Sequence, residues 1–335
     1  MEINHKIQFP DVMSGKKILY VHGFASSGSS GTVTKIREML PGATVVAPDL
    51  PLHPAEAMEL LRGLCDEEKP DLIIGTSMGG MYTEMLYGHD RILVNPAFQM
   101  GDTMLKHGML GRNTFLNPRQ DGQTEFFVTK PLVEEYKEMT AQCFSAVTPE
   151  EANERVFGLF GDADPVVHTM DLFASHYRNA ISFHGEHRMN DGILLHSVIP
   201  VVRWIDDRQE GRTRPIVYIG IDTLRDAHGR QQSSAMKAVN FLLENYTLYI
   251  IAQAPTDNPA YITDVITWAN DVVNVPAWRH MVFTNRYDLL YGDYLIEPSD
   301  DCHAADFAGT RIRFGDDTFK TWEEIIEFFG RLGGQ

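Results

Sequence analysis

Cysteine is scarce: 335 residues contain three, Cys65, Cys143 and Cys302, an odd number, far apart and without a C-x-x-C pair. This argues against a disulfide framework and against a cysteine zinc site, and suits reduced thiols in a cytoplasmic protein. Long apolar runs are missing too, none approaching the ~20 residues that cross a bilayer. The first fifteen residues carry Glu2, His5, Lys6 and Asp11 and lack the apolar centre of a secretory signal. Positive charge is in short supply, with 29 Lys and Arg against 46 Asp and Glu and a formal net charge of −17. Nine basic and 17 acidic residues follow Arg214, leaving 20 and 29 up to it, so neither half is a basic arm. Such a surface repels a phosphate backbone, so no nucleic acid and no membrane is expected as a partner.

What is present is an ordinary globular composition, 43% apolar and 22% charged, long enough for two domains at roughly 150 residues each. From Lys17 to Trp204, short β-branched runs alternate with amphipathic stretches. The runs are Ile18–Val21, Thr44–Ala47, Leu72–Ile74, Ile92–Val94, Val156–Phe160 and Ala180–Phe183; helices are predicted at Thr32–Met39, Ala55–Cys65, Gly79–Tyr87 and Thr169–His176. That order implies a parallel sheet covered on both faces. Residues 98–153 are too long for a simple connection and are read as an inserted lid with its own short helices, the clearest at Pro131–Met139. Its Met100, Met104, Met109, Phe115, Phe126 and Phe127 either pack the insertion onto the sheet or form a wall for an acyl group. The polar stretch DDRQEGRTR at 206–214 reads as a linker. The expected division is an extension at 1–16, a first domain at 17–205, the linker, and a second α/β domain at 215–335.

Gly75-Thr76-Ser77-Met78-Gly79 matches G-x-S-x-G between a predicted strand and a predicted helix, the setting of a nucleophile elbow. Its glycines are needed because a Cβ there would strike the neighbouring strand or helix. A serine hydroxyl needs a base, and the base a carboxylate to orient it. In the order serine, acid, histidine, the acid follows the strand Val156–Phe160. Asp164 is preferred beside Pro165, Val166 and Val167; Asp162 is the alternative, better suited to capping backbone N–H groups. His187 lies twenty-three residues beyond Asp164 and is preferred over His184, at the sheet edge, and His196, in a helical stretch. An oxyanion hole needs two backbone amides: Met78, after the nucleophile, and Phe24, in the His22-Gly23-Phe24 turn after the first strand. His22 is expected to brace that loop. With Gly23, Met104 and Met109 it completes the candidates for the substrate pocket.

Tyr20-Val21-His22-Gly23-Phe24-Ala25-Ser26-Ser27, Pro48-Asp49-Leu50-Pro51, the GTSMGG elbow, Val94-Asn95-Pro96-Ala97 and Gly185-Glu186-His187 resemble the YqiA/YcfP-like α/β-hydrolase esterases over roughly residues 17–205. The resemblance implies an α/β-hydrolase domain with Ser77, Asp164 and His187 as its triad and the Phe24 and Met78 amides as its hole. It further implies hydrolysis of carboxylic esters or thioesters of short acyl chains, without a metal or organic cofactor.

The second domain ends its first strand at Gly220-Ile221-Asp222-Thr223. Together with 286–298, 306–315 and Thr321-Trp322, it is similar to the 5′-nucleotidase branch of the haloacid-dehalogenase-type phosphatases, which implies a smaller Rossmann-like α/β fold. Gly220 stands at the nucleophilic aspartate position, Ala252 at the second-motif hydroxyl, Tyr287 at the phosphate-contacting lysine, and Glu297-Pro298 at the metal-binding acidic pair. Without those groups phosphoryl transfer loses its attacking atom and its charge neutralisation. A noncatalytic domain that binds, stabilises or forms a homodimer is therefore expected. The alternatives are a Mg²⁺-dependent phosphatase using Asp222, and a scaffold in which both sites are vestigial.

Overall fold

The computed structural model describes residues 8–226, 228–273, 280–298 and 303–332; Cys302 lies outside them. The chain divides into two compact units, Met1–Glu210 and Gly211–Gln335.

In the first unit the strands are β1 (Lys17–Val21), β2 (Thr44–Val46), β3 (Leu72–Thr76), β4 (Arg91–Val94), β5 (Gly111–Thr114), β6 (Glu125–Val128), β7 (Val156–Gly161) and β8 (Asn179–Phe183). Six form one parallel sheet in the order β2-β1-β3-β4-β7-β8. Successive side chains of a strand point to opposite faces, so an apolar run such as KILYV feeds two cores. Leu19, Val21, Ile73 and Leu93 pack with Ala57, Leu61 and Met81 on one side. Ile18, Tyr20, Ile74 and Ile92 pack with Val33, Ile36, Val198 and Val202 on the other. The helix Pro54–Glu68 starts with proline in its first turn, buries Ala57, Met58, Leu61 and Cys65 on one stripe, and ends at Lys69 in the left-handed conformation (φ 48°).

The insertion differs from the expected set of short helices. It holds a helix Met100–Lys106, the antiparallel hairpin β5–β6, and a helix Lys130–Thr140 whose N-cap Thr129 accepts a bond from the Leu132 amide. Most of β5 is exposed, so it carries no alternating apolar signal; it is held to β6 partly by Arg112 paired with Glu125. Two boundaries also move. Residues 9–16 are no mere extension: Phe9, Val12 and Met13 are buried in the core, and the Phe9 amide bonds the Met39 carbonyl. The expected linker at 206–214 begins inside the helix Ile199–Gln209, where buried Asp206 pairs with Lys16 at 2.7 Å. Polarity there marks an ion-paired helix end rather than a free connection.

The second unit has β9 (Ile216–Gly220), β10 (Thr247–Ala252), β11 (Met281–Phe283), β12 (Tyr294–Pro298) and β13 (Thr310–Phe314) in the all-parallel order β11-β10-β9-β12-β13. The helices Ala235–Asn245, Pro259–Val272 and Trp322–Arg331 help cover a core that includes Ile219, Val239, Ile250, Ile296 and Ile325.

Candidate active site

The site forms where β1, β3, β4, β7 and β8 end. After β3 the chain turns at Ser77 with φ 54° and ψ −119°, a strained conformation for a residue with a side chain, and enters the helix Met78–Glu84. The flanking glycines permit this. A Cβ on Gly75 would lie 2.2 Å from Thr83 Oγ1, and one on Gly79 would lie 2.0 Å from the Val21 carbonyl oxygen. The first collision is with the helix and the second with β1.

The turn presents Ser77 Oγ to His187 Nε2 at 3.0 Å, and His187 Nδ1 lies 2.7 Å from Asp164 Oδ2. The other oxygen of Asp164 accepts the Val166 and Val167 amides at 2.7 and 3.0 Å. Burial works against the Asp164 charge, but the bonds from His187 and these two amides hold its carboxyl below the usual carboxylate range. With Asp164 accepting from Nδ1–H, Nε2 carries the lone pair that faces the serine.

Asp162 and His184 stand outside this chain of contacts. They pair with each other at 3.2 Å on the surface, and the other Asp162 oxygen accepts the Gly185 amide at 3.1 Å. His196 is half-buried in the helical turn Leu194–Val198, and burial lowers its pKa.

Among the described residues, the Phe24 and Met78 amides have no acceptor within the protein. His22 braces their loop from inside. Its Nδ1–H donates to the Gly23 carbonyl at 2.8 Å, its Nε2 accepts the Leu50 amide at 3.1 Å, and burial keeps it neutral by lowering its pKa. Gly23 is pressed against the serine, where a Cβ would sit 3.3 Å from Ser77 Cβ.

Beside these amides lies a cleft of about 240 Å³, open to solvent and lined by Phe24, Ala25, Leu52, Met78, Phe126 and Tyr136 among others. Phe24 meets Phe126 and Tyr136 edge-on at centroid distances of 5.3 and 6.2 Å. Of the four pocket candidates only His22 lines the cleft; Gly23, Met104 and Met109 do not. Met104 is fully buried in the core beneath the insertion, and Met109 is half-buried against that core. Both methionines pack the insertion onto the core. Tyr136, whose hydroxyl donates to the Leu52 carbonyl at 3.0 Å, escaped the sequence reading because an apolar helix stripe looks alike whether it meets core or cleft.

A strap from the insertion closes one side. The Leu116 amide donates to the Ala25 carbonyl at 2.7 Å, Ser27 Oγ to the Pro118 carbonyl at 2.7 Å, and the Gln120 amide to Asp49 at 2.6 Å. The other Asp49 oxygen accepts the Gly28 amide at 2.8 Å, so one carboxylate ties the strap to the loop bearing Phe24.

In the second unit β9 ends at Gly220, and Asp222 is exposed in the short helix Ile221–Leu224. A Cβ on Gly220 would lie 2.0 Å from Glu297 Oε2. Glu297 is buried and accepts the Tyr287 hydroxyl at 2.9 Å.

Residues 17–191 match the model of a family described as "Uncharacterised protein family (UPF0227)". A protein of Vibrio phage KVP40, named as a candidate 5′(3′)-deoxyribonucleotidase, is 28% identical over 102 residues, 30% of this chain. The match spans 60% of that relative's length. Among solved structures, a metagenomic protein from a study of the lipolytic enzymes LipS and LipT is 16% identical with a TM-score of 0.42, covering 59% of this chain and all of the other. Est1E from Butyrivibrio proteoclasticus is 15% identical with a TM-score of 0.40, covering 61% and 91%. No described helix is long and apolar enough to cross a membrane.

Proposed function

The chain belongs to the UPF0227 family, and we propose that it is a serine hydrolase of carboxylic esters or thioesters with small acyl groups. The observation that carries this reading is the continuous contact from Ser77 Oγ through His187 to Asp164, at 3.0 and 2.7 Å, beside two unengaged amides. In the reaction Ser77 Oγ attacks the acyl carbon while its proton passes to His187 Nε2. The Phe24 and Met78 amides stabilise the oxyanion, His187 protonates the departing alcohol or thiol, and water repeats the sequence to release the acid. Asp164 fixes the imidazole tautomer and balances the imidazolium.

The second unit is proposed to take no part in the chemistry. The phage likeness suits a nucleotidase-type frame, but Gly220 supplies no nucleophile and the Glu297 carboxylate fills its side-chain space. A metal-dependent phosphatase using Asp222 would require phosphate-ester hydrolysis that EDTA stops and Asp222→Asn removes.

The deciding experiment is a panel of p-nitrophenyl esters and acyl thioesters with the Ser77→Ala variant, alongside fluorophosphonate labelling. Ser77 should be labelled, and turnover should disappear in the variant. Unchanged turnover would sink the proposal.

A further inference from the structure

The turn Val94–Ala97 after β4 reaches each part of the site. Its Val94 carbonyl accepts the Ser77 amide at 2.9 Å, and its Ala97 amide donates to the Ser77 carbonyl at 3.0 Å, so the strained serine is clasped through its backbone. At the centre of the turn is Asn95, buried and in the left-handed region at φ 45°. Its own amide donates to the Leu159 carbonyl on β7 at 2.8 Å. Its side-chain oxygen accepts the Gly161 amide at 2.7 Å, where β7 gives way to the loop bearing Asp164. Its side-chain nitrogen donates to the carbonyls of Glu186 and His187, both at 3.1 Å.

An asparagine amide offers two donors and an acceptor on opposite ends of one rigid plane. Here the donors face the base loop and the acceptor faces the acid strand. Asparagine also tolerates the left-handed backbone better than other residues with side chains. Aspartate has the same shape, but its carboxylate would turn an acceptor toward two carbonyl oxygens. Alanine, serine or glycine reaches neither loop.

We infer that Asn95 is a positioning residue, setting the distance between the loops of Asp164 and His187 and thereby the reach of His187 Nε2 to Ser77. The inference rests on the Ser77 reading above. It differs from a packing role because it acts through directed hydrogen bonds and not through volume.

Two variants test it. Asn95→Gly keeps the left-handed backbone without strain and removes only the side-chain bonds. Its kcat should fall about 100-fold, the scale expected when reacting groups are misplaced by about 1 Å, with KM little changed and fluorophosphonate labelling of Ser77 slowed in parallel. Asn95→Asp makes the activity titratable. Protonated, residue 95 still donates to one carbonyl; ionised, it repels both. Its kcat/KM should therefore decline with rising pH where the wild-type profile is flat. The titratable groups on the surrounding segments are His22 after β1, Asp162, Asp164 and His168 after β7, and His184, Glu186 and His187 after β8. They are common to both proteins, so the difference between the two profiles reports residue 95. Should Asn95→Gly fail to fold, Asn95→Asp at acidic pH still decides. A profile superimposable on wild type, or a folded Asn95→Gly with wild-type kcat, overturns the inference. Turnover that survives Ser77→Ala overturns the underlying site reading instead, and the inference with it.

Discussion

Replacing Asp164 by Asn, with Asp162→Asn as its partner experiment, separates two carboxylates two residues apart. Asp164 uses both oxygens: Oδ2 on His187 Nδ1 at 2.7 Å, and Oδ1 on the Val166 and Val167 amides at 2.7 and 3.0 Å. An asparagine must choose. If its oxygen keeps the two amides, its NH₂ faces Nδ1, the imidazole moves its proton to Nε2, and it can no longer accept the serine proton. If the oxygen keeps His187, the NH₂ points at two buried N–H donors, at about 1–3 kcal/mol for each group left unsatisfied. The first orientation is favoured, so activity should suffer more than stability. The expected fall in kcat/KM is about 10⁴-fold, near 5.5 kcal/mol of transition-state stabilisation. Asp162→Asn breaks only an exposed pair with His184, worth at most about 1 kcal/mol, and should leave turnover intact. Initial rates on p-nitrophenyl acetate and butyrate, with thermal midpoints, measure both. The pH dependence has a fixed sign. The Asp164 pKa is depressed below 3.8 in the fold, so its stabilisation is present above that value and is lost as pH falls through the folded pKa. The stability gap between wild type and Asp164→Asn should therefore narrow below about pH 4. Comparable losses from both substitutions, or an Asp164→Asn enzyme within tenfold of wild type, would refute the assignment.

Phe126→Ala removes a buried ring from the cleft wall; it should cost about 3–5 kcal/mol in urea unfolding and shift ester preference toward longer acyl chains. Arg91 is fully buried, bonded to the Thr83 carbonyl at 3.3 Å and to Glu151 at 2.7 Å. Arg91→Ala strands the buried Glu151 carboxylate, at about 3–5 kcal/mol, and adding Glu151→Gln should recover part of the loss in the same assay.

The first sheet was legible in sequence because each of its strands is apolar on both faces and bounded by a turn signal. The six predicted strands match those observed within one or two residues. The elbow was legible because it demands glycine: Gly75 and Gly79 stand where a Cβ meets backbone or side chain at 2.4 Å or less. The candidate acid was legible as a preference for Asp164 over Asp162, resting on its apolar flank; in the structure Asp164 meets His187 and Asp162 meets His184. Asn95 was visible as part of a motif but silent about its role. Its partners are two main-chain carbonyls and a main-chain amide, which no residue identity encodes. The hairpin β5–β6 and the strap over Phe24 are also held partly by backbone bonds, and their exposed residues carry no period. Composition thus reveals elements that bury side chains, and it passes over those that pair main chain.

The second unit reverses that relation, because there a missing side chain is the informative fact. Gly220 ends β9 at the edge where an open α/β sheet receives ligands, between β9 and β12, the strands at which the sheet order reverses. The space its side chain would occupy is held by Glu297 from the neighbouring strand, 2.0 Å from the ideal Cβ and tied to the Tyr287 hydroxyl. Placing aspartate at 220 therefore does not create a nucleophile. It forces a buried carboxylate aside, breaks the Tyr287 bond, and sets two like charges side by side, so that one of them takes up a proton. Overpacking alone costs about 1–3 kcal/mol. Gly220→Asp should accordingly destabilise this unit and leave p-nitrophenyl phosphate untouched, while Gly220→Asp with Glu297→Ala should regain most of the lost stability. A Gly220→Asp protein as stable as wild type would mean that Glu297 moves freely, and that the carboxylate is a passenger rather than the replacement for the missing side chain.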